Sequence, residues 1–156
     1  MKPGTFTQMY VQLVFAVCNR EAVLSKNIRP RVFEYISGIV TDLKHKSIIV
    51  NGVADHIHIL IGLNPNISVS DTVHDIKRGS SIFINQNKLV LGKFLWQGGY
   101  GGFTYSRSQI DQIYTYIQNQ ESHHAKRSFR EEYQSILDKY EADYDPRFLF
   151  DFFDHP

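Results

Sequence analysis

The strongest constraint on this chain is the order in which its apolar residues change period. From Thr7 to Val17 β-branched and aromatic types dominate, and the run stops at Asn19-Arg20, which suits a first strand buried on both faces. Ile28 to Lys46 then places Val32, Phe33, Ile36, Ile39, Val40 and Leu43 at helical spacing, with Pro30 near the helix start. Ser47 to Val53 and His56 to Leu63 read as two further strands. Their turn lies either at Asn51-Gly52 or around Ala54-Asp55, and the sequence leaves both open.

Asn64-Pro65-Asn66 breaks the pattern. Ser68-x-x-Asp71 predicts a capped helix to about Asn85, with Val69, Val73, Ile76 and Ile84 on or near its inner face. A fourth strand is expected within Phe94 to Tyr105, interrupted by Gly98-Gly99-Tyr100-Gly101-Gly102. The order β-α-β-β-α-β predicts an α+β fold, a ferredoxin-like antiparallel sheet with both helices on one face. Two more helices are expected, from Ser108-x-x-Asp111 to about Arg127 and from Ser128-x-x-Glu131 to about Glu141. The chain reads as one domain over 1–156, with a core over about 1–105, a helix over about 106–127 and an acidic helix and tail over about 128–156.

A chain of 156 residues suits one domain, and 42% hydrophobic with 21% charged residues excludes disordered and fibrous classes. The net charge of +1 is a sum over unlike regions. Residues 1–130 carry 15 Lys+Arg against 8 Asp+Glu, whereas 131–156 carry 2 against 8. A basic body admits a nucleic-acid partner, and the acidic end is expected to pack at the edge or repel DNA. The single Cys18 lies in an apolar run and reads as a buried structural thiol. No stretch reaches the ~20 apolar residues needed to span a bilayer, so no membrane partner is expected. The run Val11 to Cys18 reads as a strand of a cytoplasmic protein and not as a leader, because Gln12 interrupts it.

The sharpest chemical feature is Asp55-His56-Ile57-His58-Ile59-Leu60. Alternation on a strand sends both imidazoles to one face, ~7 Å apart along the chain, while Ile57, Ile59 and Ile61 point to the other. Such a pair can share a metal ion, and it can equally be two hydrogen-bonded histidines near a sheet surface. A second feature is the helix around Tyr116, where Ile110, Ile113, Tyr114 and Ile117 form the expected buried stripe. Tyr116, Gln120 and His123 share the opposite flank, a cluster of phenol, amide and imidazole that on an ordinary helix would be a solvated edge.

The segments Asp55-His56-Ile57-His58-Ile59-Leu60, Ile76-Lys77-Arg78-Gly79-Ser80-Ser81, Trp96-Gln97-Gly98-Gly99-Tyr100-Gly101-Gly102-Phe103 and Tyr116-Ile117-Gln118-Asn119-Gln120 resemble, in order and spacing, the single-tyrosine (Y1) HUH transposases of the IS200/IS605 group, over residues 5 to about 150. That resemblance implies that Tyr116 is the nucleophile attacking single-stranded DNA at hairpin-marked ends, with a 5′-phosphotyrosine intermediate. It implies that His56, His58 and Gln120 hold Mg²⁺ or Mn²⁺, and that the enzyme is a homodimer whose active sites join the histidines of one subunit to the tyrosine helix of the other. The candidate bases for Tyr116 are the metal and His123 or His124.

DNA contacts are expected from Lys77, Arg78, Arg107, Lys126, Arg127 and Arg130, beside Tyr100 and Tyr105, because phosphates attract cations and unpaired bases stack on aromatic rings. Trp96 and Phe103 read as core before platform. Two alternatives accompany this reading: a non-catalytic single-stranded nucleic-acid-binding module, and a domesticated relative acting on chromosomal repeat hairpins.

Overall fold

A computed structural model describes residues 3–124 and 128–139. Its elements are β1 (Tyr10–Ala16), α1 (Arg29–Asp42), β2 (Lys46–Gly52), β3 (His56–Gly62), α2 (Val69–Gln86), β4 (Gly101–Tyr105), α3 (Ile110–Gln118), α4 (Gln120–His124) and α5 (Phe129–Lys139), with single 3-10 turns at Cys18–Arg20 and Arg107–Gln109. The four strands form one antiparallel sheet in the order β2-β3-β1-β4. This is the expected β-α-β-β-α-β plan with its additional C-terminal helices.

Opposed residues of an antiparallel pair share a face. The pairs Ala16–His56, Val14–His58 and Gln12–Leu60, continued by Gln12–Phe103 and Val14–Gly101, therefore define one side of the sheet. Val11, Leu13, Phe15, Ile57, Ile59 and Ile61 define the other, and all six are buried. Helix α2 covers this second side: a Cβ on Gly102 would lie 3.8 Å from Val69 Cγ1, and Lys77 Nζ sits 5.2 Å above the Phe15 ring. Helix α1 packs beside α2, so closely that a Cβ on Gly79 would come within 2.8 Å of Ile39 Cδ1. The side bearing the histidines is roofed by α3 to α5, through the contacts of Tyr116, Phe129 and Tyr133 described below.

Local chemistry explains where the elements begin and end. Ser68 caps α2 by accepting from the Asp71 N–H at 2.9 Å, as its capping pattern predicts. Ser128 does the same for α5, accepting from the Glu131 N–H at 3.2 Å. Helix α1 ends at Asp42, short of the expected Lys46, because Lys44 takes a left-handed conformation with φ of 65°. The β2–β3 turn falls at residues 53–55. Asn51-Gly52 stays in the strand, where a Cβ on Gly52 would lie only 2.8 Å from the Ile57 Cα, so this glycine serves close backbone approach and not a turn.

The long helix expected from Ser108 to Arg127 is corrected in three respects. Its box is Ser106 with Gln109, not Ser108 with Asp111. It divides at Asn119, whose φ and ψ of −97° and 27° leave the helical region. Tyr114, expected in the core, is 38% exposed, while Ile110 and Ile117 are buried. The strand expected within Phe94 to Tyr105 occupies the C-terminal part of that range, Gly101–Tyr105, and Trp96 makes an isolated bridge to Val17.

Candidate active site

Strand alternation places His56 and His58 together on the face under α3 to α5, both fully buried, with ring centroids 5.3 Å apart. Each ring is engaged at Nδ1. Asp55 Oδ1 stands 2.8 Å from His56 Nδ1, and Gln12 Nε2 stands 2.7 Å from His58 Nδ1. Asp55 accepts only, so His56 carries its proton on Nδ1 and leaves the Nε2 lone pair available, the orientation found in carboxylate-histidine metal sites. Burial pushes the His56 pKa down to about 4, against the opposing pull of the Asp55 hydrogen bond, so the ring is neutral at pH 7.

The roof brings a third charged group. Glu132 of α5 is fully buried, and its Oε1 lies 2.8 Å from His58 Nε2. Ligand atoms of His56, His58 and Glu132 all fall within 4.8 Å of one another, a set that could hold a metal ion. A carboxylate taken out of water in an apolar roof is costly unless it is paired or coordinates a cation. Glu132 is not among the residues expected to hold the metal. Its signal was available: it occupies the helical stripe of Phe129, Tyr133 and Leu137, where a charged residue breaks an otherwise buried apolar face.

Packing fixes that roof over the histidines. Phe129 stacks on His56 with centroids 3.8 Å apart and planes 10° from parallel. Gly101 leaves room for Tyr133, since a Cβ there would lie 2.6 Å from the phenol oxygen. Burial raises the Tyr133 pKa to about 12. Tyr116 of α3 meets His58 edge to face, with centroids 6.1 Å apart and planes at 83°, and its hydroxyl is buried. Asn51 on β2 anchors the tyrosine helix from below, donating to the carbonyls of Ile117 at 2.9 Å and Gln118 at 3.1 Å. Gln120 is fully buried at the start of α4; its Nε2 reaches back to the Tyr116 carbonyl at 3.5 Å, and its Oε1 has no hydrogen-bond partner among the described residues. Tyr116 and Gln120, expected on one helical flank, are joined across the Asn119 break by this contact.

The expected DNA contacts divide. Arg78, Arg107 and Tyr100 are exposed, and Arg130 is half-buried. Lys77 is half-buried and donates to the carbonyls of Gln97 at 2.8 Å and Gly99 at 2.7 Å, so it clamps the glycine-rich loop; burial lowers its pKa. Tyr105 is buried and donates to Gln12 Oε1 at 2.5 Å, which removes its face from base stacking. Trp96 donates to Ser80 Oγ at 2.9 Å and packs edge-on against Phe15 and Phe94, a core role, and Phe103 is buried. Lys126, Arg127, the acidic segment after Lys139 and the side chains of His123 and His124 lie outside the described residues. No helix among the described residues is long and apolar enough to cross a membrane.

Comparison with known proteins agrees with the fold. The family model described as "Transposase IS200 like" matches residues 5–120, well over half of the chain. Among solved structures, a candidate transposase from Deinococcus radiodurans R1 superposes with a TM-score of 0.58 at 24% identity, covering 77% of this chain and 96% of the other. A REP-associated tyrosine transposase bound to a REP hairpin superposes with a TM-score of 0.58 at 14% identity, covering 80% of this chain and 74% of the other. No curated protein matches the chain to significance. With the match extending from the N-terminal segment through Tyr116 to Gln120, the chain belongs to the IS200-like transposase family.

Proposed function

We propose that this transposase cleaves and rejoins single-stranded DNA at hairpin-marked ends, with Tyr116 as nucleophile and His56, His58 and Glu132 as the core of a divalent-metal site. The observation that carries the reading is the packing of Tyr116 against His58 beside a buried carboxylate. The donor set fits a divalent cation: two imidazoles oriented through Nδ1 and one buried carboxylate, with the buried amide oxygen of Gln120, which has no hydrogen-bond partner among the described residues, offered as a fourth donor. When bound, Mg²⁺ or Mn²⁺ would supply positive charge to the non-bridging phosphate oxygens.

The chain's own residues account for the remaining steps. The Tyr116 oxygen attacks phosphorus, its bond to phosphorus forms as the bond to the 3′ oxygen breaks, and the departing oxygen takes a proton to become a 3′-OH. Free tyrosine has a pKa near ~10, so the phenol proton must leave before or during attack. Attack by another 3′-OH reverses the step and restores the phenol, so rejoining needs no nucleotide cofactor. Exposed Arg78 and Arg107, with Tyr100 as a stacking face, are the cations and ring offered to the strand. The hairpin carried by the REP-associated neighbour supports a hairpin substrate here.

The anchoring of α3 on β2 of the same chain supports a site completed in cis. A homodimer with exchanged tyrosine helices, which the family resemblance implies, is the second reading. Mixing His58→Ala with Tyr116→Phe protein separates the two: the cis site gives no recovery of cleavage, whereas exchange between subunits restores it. Metal loading is tested by titrating Mn²⁺ into wild type and Glu132→Gln; weaker binding by the variant is expected, and equal binding removes Glu132 from the ligand set. A non-catalytic binder would retain hairpin DNA yet form no covalent product.

A further inference from the structure

Behind His58 lies a buried polar chain that the cleavage chemistry does not use. Gln12 is 1% exposed, Tyr105 8% and His58 0%, and all three lie on the same face of β1, β3 and β4. The Tyr105 hydroxyl donates to Gln12 Oε1 at 2.5 Å, which turns the amide so that Nε2 faces His58 Nδ1 at 2.7 Å. An amide nitrogen is only a donor, so in this arrangement Nδ1 must present its lone pair and the ring proton must sit on Nε2, toward Glu132. A histidine that ligates through Nε2 needs the opposite tautomer, with the proton on Nδ1 and an acceptor behind it.

We propose that Gln12, held by Tyr105, is a positioning residue that sets the tautomer of His58 and turns over when a cation enters. With the amide rotated by about 180° about its terminal torsion, which has two comparable wells, Gln12 Oε1 accepts from His58 Nδ1–H and Nε2 donates to the Tyr105 oxygen. The amide then finds an acceptor in the phenol oxygen, at the cost of the hydrogen bond that the Tyr105 hydroxyl donated to Oε1. The Nε2 proton is released to water as Nδ1 gains one, so the imidazole stays neutral throughout. His56 needs no such device, since its partner Asp55 can only accept. The two histidines are thus prepared differently: one is permanently in its ligating tautomer, and the other is gated by an amide that serves both states.

This inference rests on the metal reading above, and its test separates the two. In ¹⁵N-histidine-labelled wild-type protein at alkaline pH, where imidazoles are neutral, long-range ¹H–¹⁵N spectra of the metal-free chain should show His58 protonated on Nε2. Adding Zn²⁺ as a diamagnetic probe should move the proton to Nδ1. Gln12→Glu, an acceptor without donors, should give the Nδ1–H form before any metal is added. Gln12→Met should weaken Mn²⁺ binding by about 10- to 100-fold, the range for lost outer partners of metal ligands. Wild-type His58 already protonated on Nδ1 without metal would overturn the proposal, as would an unchanged tautomer and Mn²⁺ affinity in Gln12→Met. If wild type binds neither metal, the metal reading falls, and the metal-free tautomers of wild type and Gln12→Met still decide whether Gln12 controls His58.

Discussion

Strands β1 and β3 present Val11, Leu13, Phe15, Ile57, Ile59 and Ile61 to α1 and α2, and on the opposite face they present Gln12, Val14, Ala16, His56, His58 and Leu60 to α3, α4 and α5. Both faces are buried, yet they obey different rules. The first is satisfied by shape and apolar area alone, so neighbouring groups can substitute for one another at modest cost. On the second, each polar atom needs a named partner, because an unpaired buried donor or acceptor costs about 1–3 kcal/mol. Adjacent residues of one strand therefore divide the work. Ile57 and Ile59 hold the sheet to its helices, while His56 and His58, alternating with them, line the candidate site.

That division can be broken by substitution. The largest effect is expected from His58→Ala, which should lower cleavage of hairpin DNA by about 100-fold or more, the scale of removing a group that organises charge at a transition state. Circular dichroism should still report a folded chain. Ile59→Ala, one residue away, should do the reverse: urea unfolding should show a loss of about 2–5 kcal/mol, with cleavage per folded molecule unchanged. Should Ile59→Ala cut specific activity as deeply as His58→Ala, the two faces are not separable.

The pH dependence sharpens the same contrast. His56 has a folded pKa of about 4, below the usual 6.5, so the unfolded chain binds the extra proton between those values. Its contribution is present in full above pH 6.5 and is lost as pH falls toward 4. Melting temperature of the metal-free protein should drop through that window, and the drop should flatten in His56→Gln. The smallest effect is expected at Ser68, whose hydroxyl caps α2 on the apolar side: Ser68→Ala should cost about 1 kcal/mol by urea unfolding, with no change in cleavage.

How legible each face was in the sequence follows from the same physics. The apolar side announces itself by period, so the strand and helix order, the α2 cap at Ser68 and the inner face of β3 could be read directly. The histidine pair could be read too, because strand alternation is local. Glu132 could not be placed beside the histidines, since it reaches His58 from 74 positions away in the sequence and is brought there only by the packing of Phe129 and Tyr133. The helix break at Asn119 carries no proline or glycine, and Gln12 beside Tyr105 is a contact between β1 and β4, 93 positions apart, that no local pattern encodes. Gly52 mimicked a turn because glycine serves two purposes, and only the pairing of β2 with β3 distinguishes them.

The central claim is that Tyr116, seated against His58, becomes covalently joined to DNA. Incubating the protein with hairpin-bearing single-stranded DNA and Mn²⁺, then digesting the denaturation-resistant product for mass spectrometry, tests it most directly. The account predicts a phosphodiester-linked nucleotide on Tyr116, no product with EDTA and none from Tyr116→Phe. An adduct that persists in Tyr116→Phe, or that maps to another residue, would contradict it.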